Sequence, residues 1–463
     1  MPRFPESPHR PNDHKWRRLF FAAGFLAPAL LAFGVAPAMA QGISILRDTE
    51  TEEMLRSYET PLARAAGLDP GAVNLYLVGD NSVNAFVAEG QNLFMMTGMI
   101  MFAKNANELI GVMAHETGHI KAGHIIRGGD AASKAMIPML LSMIVGLAAM
   151  AAGAGEGGTA IIGAGAAMAE AQMNAFTRVQ EGTADQIALQ LLAATHQSAN
   201  GLYNTFARFA AEEAQSAYKI DKYAVDHPIG QERLGFIEEK VANSPYKDVK
   251  DPPQVTHTFE MVQAKLAGYV LPVDQGLARY PVSNTSEAAR YARAMLYLRK
   301  PDLAKALAEI NSLIAEEPSN PYFQEVLGQI YVTMAKPHQA IPAYQKAVNL
   351  KPGAPQLRLG LAVALLATDE PSLAGQALQN LKAASLAEND DVFTWYETAQ
   401  AYSILKNEPM ANLSTAELYY NTGAMAKAVI FANRARRGLT EGTADWQRAG
   451  DIIGAATAAA RQR

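Results

Sequence analysis

The stretch Asn107-Glu108-Leu109-Ile110-Gly111-Val112-Met113-Ala114-His115-Glu116-Thr117-Gly118-His119-Ile120-Lys121 decides how this chain reads. Leu109, Ile110, Val112, Met113, Gly118 and Ile120 recur at helical spacing, so 107–121 is predicted as a helix. Each helical residue turns its side chain by about 100°, which leaves His115 and His119 about 40° apart on one face. Both imidazoles can then reach one ion, the logic of an H-E-x-x-H sequence. Glu116, one position along, can approach a water on that ion without ligating it, which is the placement of a general base. His124 is a tempting third histidine. Nine steps of about 100° put it roughly opposite His115 if the helix continues, and a surface or capping role is expected.

Upstream, Asp48 to Ala66 is a charged helical stretch that ends at Gly67 and Pro70. Residues 74–79, 83–88 and 92–97 are rich in β-formers and separated by turn signals, which predicts a small antiparallel meander. Downstream, a second long helix is expected over Ala160 to Leu192. A catalytic zinc site takes three protein ligands and leaves one position open, so a further ligand must come from outside the motif. Glu181-Gly182-Thr183-Ala184-Asp185 offers two carboxylates at i, i+4. By composition alone these read as exposed helix acids; as a site, Glu181 binds metal while Asp185 orients His119 or His115 through a ring N–H. Ala135 to Gly155 carries no charge, and three readings stay open for it: a core hairpin, a surface touching lipid, or a true span.

The chain has 463 residues, 49% of them hydrophobic and 18% charged, with no Cys, which excludes disordered, collagen-like and disulfide-framed classes. Met1 to Ala40 reads as an export signal. Lys15, Arg17 and Arg18 form a basic start, Leu19 to Val35 are uncharged, and Ala38-Met39-Ala40 is a cleavage site. Cleavage would leave 35 basic against 43 acidic residues, and no dense basic run follows the first 20 positions, so nucleic acid is a poor partner. Export of the chain that follows is expected.

Ser244 to Ser286 shifts to Pro, Asp, Lys and Thr, with some helix at Phe259 to Ala267, and reads as a linker. Beyond it the sequence repeats at a 34-residue step: Ala294, Gly328 and Ala362; Tyr297, Tyr331 and Leu365; Ala306, Ala340 and Ala374. This resembles the tetratricopeptide (TPR) repeat, in which small residues let paired helices approach and aromatics fill the gap. The expected architecture is α+β: a mostly helical domain over 41–243 that carries the H-E-x-x-H helix and a small antiparallel sheet, a linker over 244–286, and an all-α TPR solenoid over 287–463.

H-E-T-G-H followed about sixty residues later by E-x-x-A-D is similar to the HtpX-like gluzincin metallopeptidases, over about Asn84 to Arg233. The resemblance implies one zinc ion per chain on His115, His119 and Glu181, with Glu116 activating water and Asp185 behind the ligands. Asn84-Ala85-Phe86 matches the family segment ahead of the active-site helix, although Glu89-Gly90-Gln91-Asn92 replaces the usual glycine-rich turn. Asp226-His227-Pro228 and Arg233 match a His-Pro loop that lies near the metal. His227 would cap the open position or stabilise the tetrahedral intermediate; Arg233 would donate to the oxyanion or pair with Glu181 or Asp185. An extended substrate would pair with a sheet edge at 92–97. Among exported members with TPR units, the resemblance implies clients that are misfolded or stalled outer-membrane proteins and, as partner, the outer-membrane β-barrel assembly machinery. Two alternatives remain: a TPR chaperone or scaffold with a self-inhibited metal site, and an integral-membrane peptidase.

Overall fold

In the computed structural model residues 45–88, 90–124, 142, 155–215, 223 and 227–461 are described. The expected signal sequence lies outside them, as does 135–155 apart from Ser142 and Gly155. Among the described residues no helix is long and apolar enough to cross a membrane. One compact unit spans Gln41–Pro272 and a second contains Val273–Arg463.

The first unit opens with α1 (Thr49–Ala66), started by Asp48, whose side chain accepts the Thr51 N–H, and stopped by Gly67 in the left-handed region at φ 74°. Three short strands follow, β1 (Asn74–Val78), β2 (Ala85–Ala88) and β3 (Asn92–Met96). The antiparallel meander expected here is corrected by their order, β1-β3-β2: β3 is central, antiparallel to β2 but parallel to β1. Two causes are visible. Phe94 stacks between Tyr76 and Phe86 with ring centroids 4.9 Å apart on each side, so one aromatic ladder crosses all three strands. Residues 79–84 form no tight hairpin; instead the Asp80 carbonyl accepts Thr97 Oγ1–H at 2.8 Å and Gly98 N–H at 2.9 Å. The segment 92–97 is therefore not the sheet edge it was expected to be.

A short α2 (Thr97–Phe102) leads into α3 (Ala106–Ala122), capped by Asn105 at its start and by Gly123 at φ 66°. This helix is the hub of the unit. Leu109, Val112, Met113 and Ala114 are fully buried against α1, α4 (Gly155–Ala194) and α5 (Asn200–Gln215). Close crossing depends on glycine: a Cβ on Gly111 would stand 2.6 Å from the Leu202 nitrogen, and one on Gly118 would stand 2.7 Å from the Ala184 carbonyl oxygen. α6 (Gln231–Ala242) and α7 (Pro253–Val270) complete the unit.

α7 falls inside the segment expected as a linker, yet it belongs to this core. Phe259, Val262 and Leu266 join the main hydrophobic cluster, Gln263 donates to the carbonyls of Ile100 and Ala103 at 2.7 Å each, and Lys265, fully buried, lies 2.5 Å from Asp48 and 3.4 Å from Glu50. The prolines that suggested a boundary instead start the helix, with Pro253 in its first turn, where a missing N–H costs nothing.

The second unit is a run of helix pairs. Glu287–Arg299 with Leu303–Glu316, Pro321–Thr333 with Pro337–Leu350, and Pro355–Leu366 with Pro371–Ala387 follow the 34-residue step read from the sequence. Val392–Ile404 with Glu408–Asn421 and Met425–Gly438 with Ala444–Arg461 continue the array. Tyr344 shows why small residues recur: a Cβ on Gly328 would stand 2.5 Å from its ring, and one on Gly360 would meet the same ring from the next pair.

Candidate metal centre

α3 presents His115, Glu116 and His119 on its buried face, and α4 crosses it at Gly118 and Ala184, bringing Glu181 and Asp185 opposite. The loop before α6 supplies His227, and α6 supplies Arg233. All seven sequence-predicted site residues are buried here. The His115 and His119 Nε2 atoms are 3.1 Å apart, and Glu181 reaches both, Oε2 to His115 Nε2 at 3.2 Å and Oε1 to His119 Nε2 at 3.4 Å. His227 closes the group with Nδ1 3.2 Å from Glu181 Oε1. One ligand atom from each of these four residues lies within 4.8 Å of all the others, on chains buried from solvent.

That donor set fits a metal ion. Three imidazole nitrogens and one carboxylate oxygen facing a common point suit a zinc-like cation. The electrostatics agree. Glu181 is held below the usual carboxylate range despite burial, through hydrogen bonds from His115 and His227. His115 rises to about 9: burial opposes its charge, but Asp185 and Glu181 outweigh that. His119 is pushed well below its ordinary value by burial and by the charge on His115. The pocket thus favours one positive charge and refuses two imidazolium ions side by side.

Behind the cluster, Asp185 lies with Oδ1 3.0 Å from His115 Nδ1, so it faces that imidazole and not His119. Arg233 grips Asp185 with both ends of its fork, Nε at 2.7 Å and Nη2 at 2.9 Å, while Nη1 donates to the Pro228 carbonyl at 2.8 Å and lies 3.0 Å from Glu181 Oε2. Of the two roles expected for Arg233, pairing with the acids is the one its geometry adopts.

The reading of His124 is corrected. It is buried, and its Nδ1 lies 2.9 Å from Nδ1 of His119. Extrapolating the helix failed because α3 stops at Ala122 and the left-handed Gly123 turns the chain back toward its own last turn.

Two further residues escaped the sequence. Tyr223, fully buried, stacks on His227 with centroids 4.6 Å apart and points its hydroxyl at Glu116 Oε1, 3.4 Å away. Glu59, fully buried on α1, lies with both carboxyl oxygens 3.0 Å from Thr117 Oγ1 within the motif. Each is a lone residue in an unpatterned context, and only the fold brings it to the site.

Residues 49–241 match peptidase family M48, and 326–387 match a tetratricopeptide repeat. The chain is 24% identical over 370 residues to the beta-barrel assembly-enhancing protease of Escherichia coli K12, covering 78% of this chain and 74% of that protein. It is 30% identical over 166 residues to the mitochondrial metalloendopeptidase OMA1 of Schizosaccharomyces pombe, covering 36% and 45% respectively. With the metalloprotease LoiP of Escherichia coli K12 it shares 28% over 186 residues, 40% of this chain and 69% of that one.

Proposed function

From a chain that carries a peptidase family M48 metallopeptidase domain ahead of TPR repeats, we propose a periplasmic zinc endopeptidase that removes misfolded or stalled outer-membrane proteins. The observation that supports this best is the four-residue ligand cluster with Glu116 beside it.

In this reading His115, His119 and Glu181 hold one zinc ion. When bound, the ion supplies Lewis acidity toward a water and toward a peptide carbonyl. Every other part is played by the chain. Glu116 Oε1 lies 3.5 Å from His227 Nε2, and among the described residues Oε2, buried, has no hydrogen-bond partner. That oxygen is the one to take the proton of the attacking water and return it to the leaving amine. Asp185, held by Arg233, places Oδ1 3.0 Å from His115 Nδ1, and its negative charge favours the proton on that nitrogen, which leaves the Nε2 lone pair facing the cluster. His227 sits inside the cluster, within ligand distance of the other three residues, and in this reading it takes the fourth position of the resting site.

An extended substrate would add to β2, an edge strand that packs on α3, by main-chain hydrogen bonds that tolerate many sequences. Unfolded chains then cleave best. The name of the Escherichia coli relative, in this reading, transfers to partners: the TPR array would bind the outer-membrane β-barrel assembly machinery or its clients.

The test is casein cleavage by the full chain. Glu116→Gln should abolish it with metal content unchanged, a chelator should abolish it reversibly, and His227→Ala should raise it. Cleavage at the parent rate by Glu116→Gln would remove Glu116 as the base. Retention of partner binding by the same variant would separate the repeats' role from proteolysis.

A further inference from the structure

The two motif imidazoles are oriented by different partners. His115 turns Nδ1 to a carboxylate, Asp185 Oδ1 at 3.0 Å. Among the described residues no carboxylate faces Nδ1 of His119; that atom meets Nδ1 of His124 at 2.9 Å, with the rings edge to face, 4.9 Å between centroids. Both rings are buried, at 6% and 8% exposure.

Resting on the metal-site reading above, we infer that His124 is the positioning residue of His119. A neutral His124, protonated on Nε2, accepts the Nδ1–H of His119 and so leaves the His119 Nε2 lone pair for the metal. The opposite direction of this hydrogen bond would put the His119 proton on Nε2, aimed at His115 Nε2 only 3.1 Å away, which is incompatible with ligation. The contact is built by the chain. A regular helix would carry residue 124 about 140° round from residue 119. Gly123 breaks that course at φ 66°, a conformation other residues adopt at a cost, and Gln180 Nε2 from α4 holds the His124 carbonyl at 3.4 Å. One ligand is therefore oriented by an anion and the other by a neutral acceptor that adds no charge to a pocket already holding Glu181 and Asp185.

The test is zinc affinity of the full-length chain, measured by competition with a chromogenic chelator. His124→Phe keeps a ring but removes the acceptor, and should weaken zinc binding by roughly 10–100-fold. His124→Asn, whose side-chain oxygen can take the place of Nδ1, should recover most of that loss. Melting of the metal-free proteins reports folding, and His124→Leu repeats the comparison should the Phe variant misfold. Parent-like affinity in His124→Phe overturns the inference, as does His124→Asn binding no better than Phe, since ring packing alone would then explain the residue. A parent chain that binds no zinc refutes the site as well; a parent that binds tightly beside a parent-like Phe variant refutes this inference alone.

Discussion

Replacing Glu59 by Gln should stabilise the first unit at neutral and alkaline pH. Thr117 Oγ1 has one proton and two demands on it, the Met113 carbonyl at 2.7 Å and the Glu59 carboxyl oxygens at 3.0 Å. If the hydroxyl donates to Met113, its lone pairs face Glu59, and the pairing is complete only when Glu59 carries a proton. Burial raises this carboxyl from 4.5 to about 8, with the Thr117 hydrogen bond and Arg56 opposing the rise and Glu116 adding to it. The folded state then keeps a proton that the unfolded chain has released. The stabilising contribution is full below pH 4.5 and is lost as pH climbs through about 8. At about 1.4 kcal/mol per pH unit, the loss between pH 5 and 7 is on the order of 3 kcal/mol. Gln donates to Thr117 at every pH, so this part of the slope should vanish. The three tryptophans, Trp16, Trp395 and Trp446, lie outside 41–272, so indole fluorescence does not report on this unit. Hydrogen exchange of peptides from 49–66 and 106–122 along a urea titration does, with chelator present to remove metal linkage. Parent and Glu59→Gln should unfold together at pH 5, with the variant later by a few kcal/mol at pH 8. Midpoints that stay parallel across that range would refute a protonated Glu59.

Gly118→Ala should cost about 1–3 kcal/mol and weaken metal binding, because its Cβ would lie 2.7 Å from the Ala184 backbone and push α4, with Glu181, away. Gly182→Ala, whose Cβ would meet nothing within 4 Å, is the control and should bind zinc like the parent. Lys265→Met should cost about 3–5 kcal/mol, since it strands Asp48 and Glu50 in the core without their cation. The same hydrogen-exchange titration reads it, and an unchanged midpoint would show that those acids find other partners.

What the sequence made legible follows local period. The 3.6-residue pattern around His115, the i, i+4 spacing of the motif and the 34-residue step of the repeats each repeat within a few turns of chain, and each element stands where expected. The strand order did not, because parallel pairing of β1 with β3 depends on a Tyr76-Phe94-Phe86 ladder that no neighbouring residues announce. Pro253 was ambiguous in isolation, since the same residue starts helices and breaks them. At the site, His115, His119 and Glu116 were readable from spacing, and Glu181, Asp185, His227 and Arg233 from family resemblance. His124 was misplaced by a single glycine, and Tyr223 and Glu59 acquire meaning only from neighbours far away in sequence.

X-ray absorption at the zinc edge, on the purified full chain and on Glu181→Ala, probes the ligand set itself. The predicted spectrum is one zinc per chain in a shell of imidazole nitrogens and carboxylate oxygen at about 2.0–2.2 Å, with the oxygen contribution and most of the bound metal lost in the variant. An unchanged shell and full zinc content in Glu181→Ala would show that the ion, and any chemistry it supports, sits elsewhere.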